Sequence, residues 1–467
     1  MDPKRRIKTP GVYTQQVRST SNSIAQVETA IPAFIGYTEK AIKNNADDLH
    51  LKPFRIGSLA DYTQCFGRSQ PEGASITVSI DTSTSPATAE ASIEAAQRSK
   101  FLMYYSLQAY FANGGGPCYI VSVADYSTGL VSMEDLSKGL EAIKKIDEIT
   151  LIVFPDSSSL NNSTDYYDLH QEALTLCANL RDRFTVMDVW EDPANPDLTT
   201  SVNTLRNSSL GNTTDSLQFG AAYYPRLETS LDFVYDQAQV KVIVDGQKMS
   251  LQALKTSNAA HFNLAKAALH HLPLNLPAAS AVVGVFAQVD QTEGVWKAPA
   301  NVNINRVIKP VVSISDQQQE GLNVDPISGK SINAIRSFTG RGPALIWGAR
   351  TLAGNHTEWR YISVRRMMIM IEESIKKGIQ SVVFEPNDAN TWATIQSMVE
   401  NFLQNIWQAG ALVGASPREA YFVKVGLGTT MTAQDIQNGR LIVQIGLAVQ
   451  HPAEFTLLQI IQEMVAP

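Results

Sequence analysis

The sequence predicts a multi-domain protein of the α/β class, α+β overall, with an extended strand segment at each end. The 467 residues exceed the usual size of one hydrophobic core, so two or three domains are expected. Between about residues 119 and 189, short apolar runs alternate with amphipathic helical patterns, which predicts parallel βαβ units. Near the C-terminus the side chains alternate with a period of two, which is typical of β-strands.

The composition is that of an ordinary folded protein. Hydrophobic residues make up 44% and charged residues 18%, and the net charge of −7 argues against binding to nucleic acid. Cys65, Cys118 and Cys177 are widely spaced and odd in number, so we expect buried, reduced thiols and neither disulfides nor a metal site. The start lacks the apolar stretch of a secretory signal, and no segment approaches about 18 consecutive apolar residues. We therefore expect assembly in the cytoplasm and no direct membrane insertion.

Residues 1–30 are too polar to bury a core of their own. Tyr13, Gln15 and Val17 alternate with more polar neighbours, which is the period-two pattern of a strand with one face half buried. Such a strand needs a sheet to join. We predict an N-terminal arm.

Residues 31–300 are predicted to form one or more α/β domains. The expected helix near 91–112 stops at three consecutive glycines, Gly114 to Gly116. The predicted elements that follow are strands at 119–123, 149–154 and 184–189, a helix with Leu136, Leu140 and Ile143 on one face, and a helix with Tyr166, Leu169, Ala173, Leu176 and Leu180 on one side.

The next stretch is predicted to contain a surface excursion and a β insertion. Residues 191–218 are rich in Asp, Asn, Ser, Thr and Pro, which favours a long surface loop, and 220–224 is an apolar strand. Asp245-Gly246 suits a tight hairpin turn, and Val240, Val242 and Val244 alternate before it. This pattern predicts a small β insertion near 225–260.

Residues 301–450 are expected to form the last domain. We predict a strand near 344–347, a helix across about 361–377, a strand at 381–385 and a helix across about 390–408. Leu441, Val443, Ile445 and Leu447 share one face of a further strand. Residues 451–467 are predicted to form a C-terminal arm, because the run at 455–461 is apolar on both faces and has to be covered on both sides.

The patterns that suggest chemistry have simpler structural interpretations. A phosphate loop follows a strand and opens a helix, whereas the glycine cluster at 114–116 ends a helix. The adjacent His270 and His271 diverge on a helix, so a metal site is not expected. Glu372 and Glu373 stand four residues before Lys376 and Lys377, the spacing of surface ion pairs, which favours a solvated or partner-facing helix over paired catalytic carboxylates.

Four arginines lie near three aromatic residues between Trp347 and Arg366, a pattern that taken alone suggests stacking with nucleic acid. We favour structural arginines that pair with buried carboxylates such as Glu358, Glu373 or Glu385. No catalytic, cofactor-binding or metal-binding residue is predicted, and no cofactor is expected.

Several ordered motifs resemble the tail-sheath proteins of contractile phage tails and phage-tail-like injection systems. They are TPGVY at 9–13, AIPAFIG at 30–36, VWKAPAN at 295–301, SINAIR at 331–336, GARTL at 348–352, FEPN at 384–387 and PAEF at 452–455. The resemblance is strong from about 280 to 467 and weak across 190–270.

The resemblance implies that 31–300 is an outer domain, that 301–450 is an inner domain, and that both arms add strands to sheets of neighbouring subunits. The acceptor would be the hairpin strand with Leu441, Val443, Ile445 and Leu447, and Glu372, Glu373, Lys376 and Lys377 are candidates to face an inner tube. The implied arm residues are Val12, Tyr13, Gln15, Val17, Phe455, Leu457, Leu458, Ile460 and Ile461.

The resemblance also implies partners and a mechanism. The expected partners are copies of the chain in a helical sheath, with or without sheath paralogues, an inner tube protein, and baseplate and terminal cap proteins. The subunit would be a metastable structural protein, later part of a phage tail or released particle, that contracts by rigid-body rearrangement. A soluble α/β enzyme with an unrecognised site and a non-contractile filament or capsid component remain alternatives.

Overall fold

The computed structural model describes residues 23–94, 97–192, 196–211 and 215–454. They form a mixed α/β fold, which confirms the predicted class. The strands are β1 Pro32–Thr38, β2 Phe54–Ile56, β3 Ile76–Asp81, β4 Thr88–Ile93, β5 Cys118–Asp125, β6 Leu151–Val153, β7 Phe184–Asp188, β8 Gly220–Tyr224, β9 Leu227–Thr229, β10 Lys241–Val244, β11 Gln247–Ser250, β12 Leu274–Leu276, β13 Val307–Pro310, β14 Ile332–Phe338, β15 Gly342–Ile346, β16 Tyr421–Val425 and β17 Val443–Leu447.

The helices vary in length from single turns to long rods. They are α1 Leu59–Phe66, α2 Met103–Ala112, α3 Met133–Ala142, α4 Ser163–Leu180, α5 Leu198–Arg206, α6 Leu251–Ser257, α7 Ala259–His270, α8 Ala279–Thr292, α9 Asp316–Asn323, α10 Ile362–Gly378, α11 Ala389–Gln408, α12 Pro417–Ala420 and α13 Ala433–Gln437. Short 3₁₀ helices lie at Tyr126–Thr128, Ser157–Ser159, Leu217–Phe219 and Ile379–Val382.

The described chain divides into two compact units. One contains residues 26–373 and 449–454, and the other contains residues 23–25 and 374–448. The sequence predicts a domain boundary near residue 301, whereas the large sheet of the first unit continues to Ile346. Which part is outer and which is inner in a particle stays a prediction.

The core of the larger unit is an eight-stranded sheet in the order β15-β14-β8-β7-β6-β1-β5-β2. The strands from β14 to β5 are parallel to their neighbours, while the edge strands β15 and β2 are antiparallel. Every residue of β1 is buried, as expected for a central parallel strand covered on both faces. The predicted βαβ succession from residue 119 to residue 189 is confirmed.

Helices cover both faces of this sheet. Ile35 and Gly36 are consecutive in β1, so they point to opposite faces. Gly139 of α3 lies directly on Ile35, whereas Met103 of α2 lies over Gly36. A side chain at Gly139 would collide with Ile35 and Val123, so glycine permits the close approach of α3 to the sheet.

The predicted β insertion is larger than expected. β10 and β11 form the hairpin around Asp245 and Gly246, whose φ values of 49° and 84° suit its two-residue turn. β3 and β4 join them in a four-stranded sheet, in the order β11-β10-β3-β4. A separate three-stranded sheet has the order β12-β9-β13.

Three predicted elements are corrected. The helix expected near 91–112 begins only at Met103, because Thr88–Ile93 pairs with β3 as a strand. The surface excursion at 191–218 contains α5, which buries Val202 and Leu205. The strand expected at 381–385 is instead a 3₁₀ turn followed by a tight turn, and its apolar Val383 and Phe384 are exposed.

Candidate assembly interface

A separate two-stranded sheet lies in the unit formed by residues 374–448. β16 and β17 are antiparallel, with Tyr421 opposite Leu447 and Val425 opposite Val443. Residues of β16 pack on α11, and the Tyr421 hydroxyl donates to the Glu400 carbonyl of that helix at 3.3 Å. α11 therefore covers one face of this sheet.

The opposite face of the pair carries exposed and polar side chains. Phe422 stands opposite Gly446, and its ring lies over that glycine. The Lys424 ammonium lies 5.0 Å from the centre of the Phe422 ring. Phe422 nevertheless keeps 44% of its surface exposed, so this face has apolar area available for a further contact.

Within the described residues, β16 and β17 each have a neighbouring strand on one edge only. The unpaired main-chain groups of such edges can accept strands from other chains. Of the predicted acceptor residues, Val443, Ile445 and Leu447 lie in β17, and Leu441 precedes the strand. The predicted arm residues lie outside the described residues; they are Val12, Tyr13, Gln15, Val17, Phe455, Leu457, Leu458, Ile460 and Ile461.

The start of the C-terminal segment is fixed by Glu454, and we call this contact the Glu454 latch. The Arg350 guanidinium donates from Nε at 2.8 Å and from Nη2 at 2.6 Å to the two carboxylate oxygens. Asn323 Nδ2 donates at 2.8 Å and the Tyr361 hydroxyl at 3.1 Å. Burial favours the neutral acid, but the hydrogen bonds from Arg350 and Asn323 outweigh it and hold the pKa of Glu454 below its usual value.

Arg350 is itself held in place by the large sheet. Asn333 of β14 accepts from the Arg350 main-chain N–H at 2.7 Å and donates to the Arg350 carbonyl at 2.8 Å. A third guanidinium nitrogen, Nη1, donates to the Gly354 carbonyl at 3.0 Å. These hydrogen bonds fix both the main chain and the guanidinium of Arg350, so the arginine side of the Glu454 latch is held in place.

The chain after the N-terminal segment is fixed in a similar way. Arg366 makes two contacts with Asp290, at 2.5 and 3.0 Å, and also donates to the Thr29 carbonyl at 3.0 Å. The Thr29 hydroxyl donates to Asp290 at 2.6 Å, and the Phe286 ring lies 4.7 Å from the Arg366 guanidinium. A buried arginine and carboxylate thus hold each end of the described part of this unit.

The buried arginines pair with carboxylates as predicted, but two of the predicted buried partners are wrong. Glu358 and Glu385 are exposed, and the pairs actually formed join Arg350 to Glu454, Arg365 to Glu372 and Arg366 to Asp290. The expected aromatic cover is present, since the Arg365 guanidinium lies 4.8 Å from the centre of the Phe219 ring and 4.6 Å from that of Trp359. The PAEF motif at 452–455 was the one sequence signal that pointed to Glu454.

The charged surface predicted on α10 is smaller than expected. Glu373 is buried and Glu372 pairs with Arg365 at 3.2 Å, so neither carboxylate belongs to a freely solvated face. Lys376 and Lys377 are exposed. Whether these four residues face a tube stays a prediction.

The carboxyl ends of the parallel strands are occupied by the chain's own carboxylates. In α/β sheets this edge and the adjoining helix N-termini commonly bind anionic ligands. Asp156, which follows β6, accepts from the N–H groups of Leu102 and Met103 at the start of α2, at 2.5 and 3.1 Å. The Tyr37 N–H also donates to it, at 2.7 Å. Burial raises the pKa of Asp156 to about 6.

The Asp188 carboxylate occupies the N-terminus of α8 in the same way. Its Oδ1 accepts from the N–H groups of Ala278 and Ala279 at 2.6 and 3.1 Å, and burial raises its pKa to about 7. Two helix N-termini that could hold a phosphate are therefore already filled. The three cysteines are buried, as predicted.

The described part of the chain contains no cluster of three or more His, Cys, Asp or Glu that could hold a metal ion. None of its helices combines the length and apolarity required to cross a bilayer.

The sequence family described as the phage tail sheath C-terminal domain matches residues 355–463. The curated tail sheath protein of Vibrio phage KVP40 is 26% identical over 137 residues, which is 29% of this chain. The matched part spans only 20% of that relative's own length.

Two solved structures are similar over almost the entire chain. One is the helical sheath of the anti-feeding prophage (AFP) in its contracted state, with 30% identity, coverage of 98% of this chain and 100% of the other, and a TM-score of 0.65. The other is the contracted PVC sheath complex of an extracellular contractile injection system, with 28% identity, 98% coverage of both chains and a TM-score of 0.64.

Proposed function

Because this chain belongs to the contractile tail sheath proteins of phages and contractile injection systems, we propose that its copies polymerise into a helical cylinder around an inner tube. Contraction of the cylinder would drive the tube through a target envelope. The two solved relatives are sheaths in the contracted state, which supports a chain that takes part in contraction.

The observation that carries this proposal is the two-stranded sheet β16–β17. A sheet of two strands is marginal by itself, and further strands stabilise it. The N-terminal arm, residues 1–30, of one neighbour and the C-terminal arm, residues 451–467, of another would supply these strands. An arm that makes about five main-chain hydrogen bonds at about 1 kcal/mol each would contribute about 5 kcal/mol before side-chain burial.

Two ion pairs that tie Thr29 and Glu454 to the larger unit support a subunit body that stays rigid. Arg366 with Asp290 fixes the chain at Thr29, and Arg350 fixes it at Glu454. We expect the two arms to act as hinges between neighbouring subunits, while the eight-stranded sheet moves as a rigid body.

The particle requires further partners. We assign to it an inner tube protein, baseplate and terminal cap proteins, and sheath paralogues where a system has them. Assembly would take place in the cytoplasm, and the finished sheath would be part of a phage tail or of a released particle. Similarity to a structure of the AFP baseplate, with 30% identity, supports the baseplate partner.

The alternative of a soluble α/β enzyme receives no support from the sheet edge where such enzymes bind ligands. Asp156 and Asp188 occupy the N-termini of α2 and α8 that a phosphate would need. We therefore infer a structural protein without a cofactor.

Truncation of the N-terminal arm tests the proposal. Removal of residues 1–20 should leave a folded subunit that forms no cylinders, as judged by circular dichroism and electron microscopy. Leu458→Asp should also abolish cylinders, because a charge buried without a partner in a shared sheet costs several kcal/mol. Normal cylinders from both variants would contradict strand donation, and rigid filaments that never shorten would contradict contraction.

A further inference from the structure

Residues 382–385 form a turn that places an aromatic side chain fully in solvent. The Glu385 N–H donates to the Val382 carbonyl at 3.1 Å, Val383 has φ −64° and ψ 132°, and Phe384 has φ 75°. These values define a type II turn, whose third residue is normally glycine. Phe384 is 102% exposed and Val383 is 58% exposed. We call these two side chains the Phe384 knob.

The knob carries two local costs that the described part of its own chain does not offset. A bulky residue with positive φ is disfavoured by steric contact with its own backbone. A fully exposed phenylalanine forgoes the stabilisation that its burial would provide. Disagreement between a residue and its local structure is expected mainly where function requires it.

The backbone that follows the knob is fixed. Asn387 donates to the Arg440 carbonyl at 2.9 Å and accepts from Trp392 Nε1 at 2.7 Å. Asp388 caps α11 by accepting from the N–H groups of Asn390 and Thr391. The turn is therefore anchored directly to the start of α11.

The other unit contains a recess of suitable chemistry, which we call the Trp347 recess. Its volume is about 530 Å³. The Trp347 main chain is fixed by the Ala334 carbonyl at 2.8 Å and by Gln319, whose amide donates to the Trp347 carbonyl at 2.8 Å. The apolar and aromatic part of its lining is formed by Ala298, Ala300, Trp347, Ala349, Tyr361, Pro452 and Ala453. Polar and charged side chains, among them Gln319, Arg336 and Glu454, form most of the rest.

We propose that the Phe384 knob of one copy of this chain inserts into the Trp347 recess of another copy in the sheath. This inference rests on the proposed function. An aromatic knob in a pocket with aromatic walls and small neighbours is typical of the residues that dominate interfaces. Because the knob and the recess are different surfaces, the contact is heterologous and repeats along a helical polymer.

The small area that the Phe384 knob can bury favours a second copy of this chain over a separate soluble partner. One phenylalanine buries roughly 150–250 Å², and Val383 adds less, whereas a specific interface needs about 1,000 Å². The knob is therefore too small to hold two molecules together alone. It can contribute within a lattice in which donated strands already join the copies.

Phe384→Gly provides a test that separates folding from assembly. Glycine relieves the positive φ, so the isolated subunit should unfold at the same or a higher denaturant concentration than the wild type. Its critical concentration for cylinder formation should nevertheless rise by about tenfold or more, and Trp347→Ala should have the same effect on assembly. The matched control is Ile327→Ala, because Ile327 is 94% exposed but lies in neither surface and should leave assembly unchanged.

Cross-linking tests the pairing directly. Cylinders that carry Phe384→Cys together with Ala300→Cys should give disulfide-linked ladders, whereas the wild type, whose cysteines are buried, should not. Unlinked subunits in intact cylinders of the double variant, or Phe384→Gly cylinders at the wild-type concentration, would overturn the inference. Failure of the wild type to form cylinders would instead contradict the proposed function.

Discussion

Arg350 and Glu454 are 104 residues apart in the sequence, yet the guanidinium of one donates to both carboxylate oxygens of the other, at 2.6 and 2.8 Å. The arginine side chain is 4% exposed and the glutamate side chain 19%. A charge pair that is largely removed from water stabilises a structure only while both partners are present. The contact therefore fixes where the C-terminal segment begins.

Breaking the Glu454 latch should destabilise the subunit. Glu454→Gln keeps the side-chain shape but leaves the Arg350 charge without its partner, so the free energy of unfolding should fall by about 2 kcal/mol. The pKa of Glu454 is lower in the folded state than in the unfolded chain. This contribution is thus present above the ordinary glutamate pKa and is lost as pH falls through the folded-state pKa. Denaturant titrations at several pH values measure both effects, with the exposed Glu358→Gln as the control.

The contribution of Asp188 to the free energy of unfolding should depend on pH in the opposite direction to that of Glu454. Its pKa is raised to about 7 by burial, so its contribution is fully present below the unfolded-state pKa near 4 and is lost as pH rises through about 7. The loss is on the order of 4 kcal/mol, because one pKa unit corresponds to about 1.4 kcal/mol.

Asp188→Asn keeps the Oδ1 acceptor for Ala278 and Ala279 but cannot ionise, so the unfolding free energy of this variant should change less between pH 4 and pH 7. The exposed Asp245→Asn serves as its control and should retain the wild-type pH profile. An Asp188→Asn profile as steep as that of the wild type would contradict this assignment.

Reversal of Lys376 and Lys377 to glutamate tests the tube-facing prediction for α10. A charged contact can set register and still release on contraction, because its net affinity is modest. We expect about tenfold fewer tube-filled sheaths by electron microscopy, with tube-free polymers still formed. Lys144 and Lys145 are another adjacent pair of exposed lysines, so their reversal is a suitable control. Cross-links that place α10 on the outer wall would exclude the assignment.

Contraction should need no nucleotide. If each subunit buries a further 400 Å² of apolar surface on contraction, the free energy gained is at most about 10 kcal/mol per subunit. Desolvation of polar groups and ordering of side chains reduce this gain to a few kcal/mol. Calorimetry should show one irreversible transition in the absence of ATP. The fold of the α/β layer at 120–190 should superpose between the extended and contracted states, so either a requirement for ATP or refolding of this layer would refute the mechanism.

Local patterns predicted the elements that form a short apolar run or follow a single period. The strand at 220–224 and the helix near 390–408 lie where the sequence placed them, since the strand is buried throughout and the helix buries a regular apolar face. Asp245-Gly246 predicted its hairpin because few other residues accept positive φ at both turn positions.

The long-range pairs could not be read from the sequence in the same way. Nothing local connects Arg350 with Glu454 or Arg366 with Asp290, and nearer carboxylates were equally plausible partners. The prediction of a strand at 381–385 was wrong for a different reason. Its apolar residues fit a buried strand, but Val383 and Phe384 are exposed at a turn, so their pattern does not follow the core of this subunit.

The contact between Arg366 and Thr29 also has a mechanical consequence. Tension on the N-terminal segment is first carried by Arg366 and Asp290, and then by β1, which begins three residues later. β1 has β5 and β6 as parallel neighbours on its two sides. A pull along this strand would have to break the hydrogen bonds on both sides together, in shear, whereas an edge strand can be peeled away one bond at a time. The load would thus enter the subunit where the sheet resists it best.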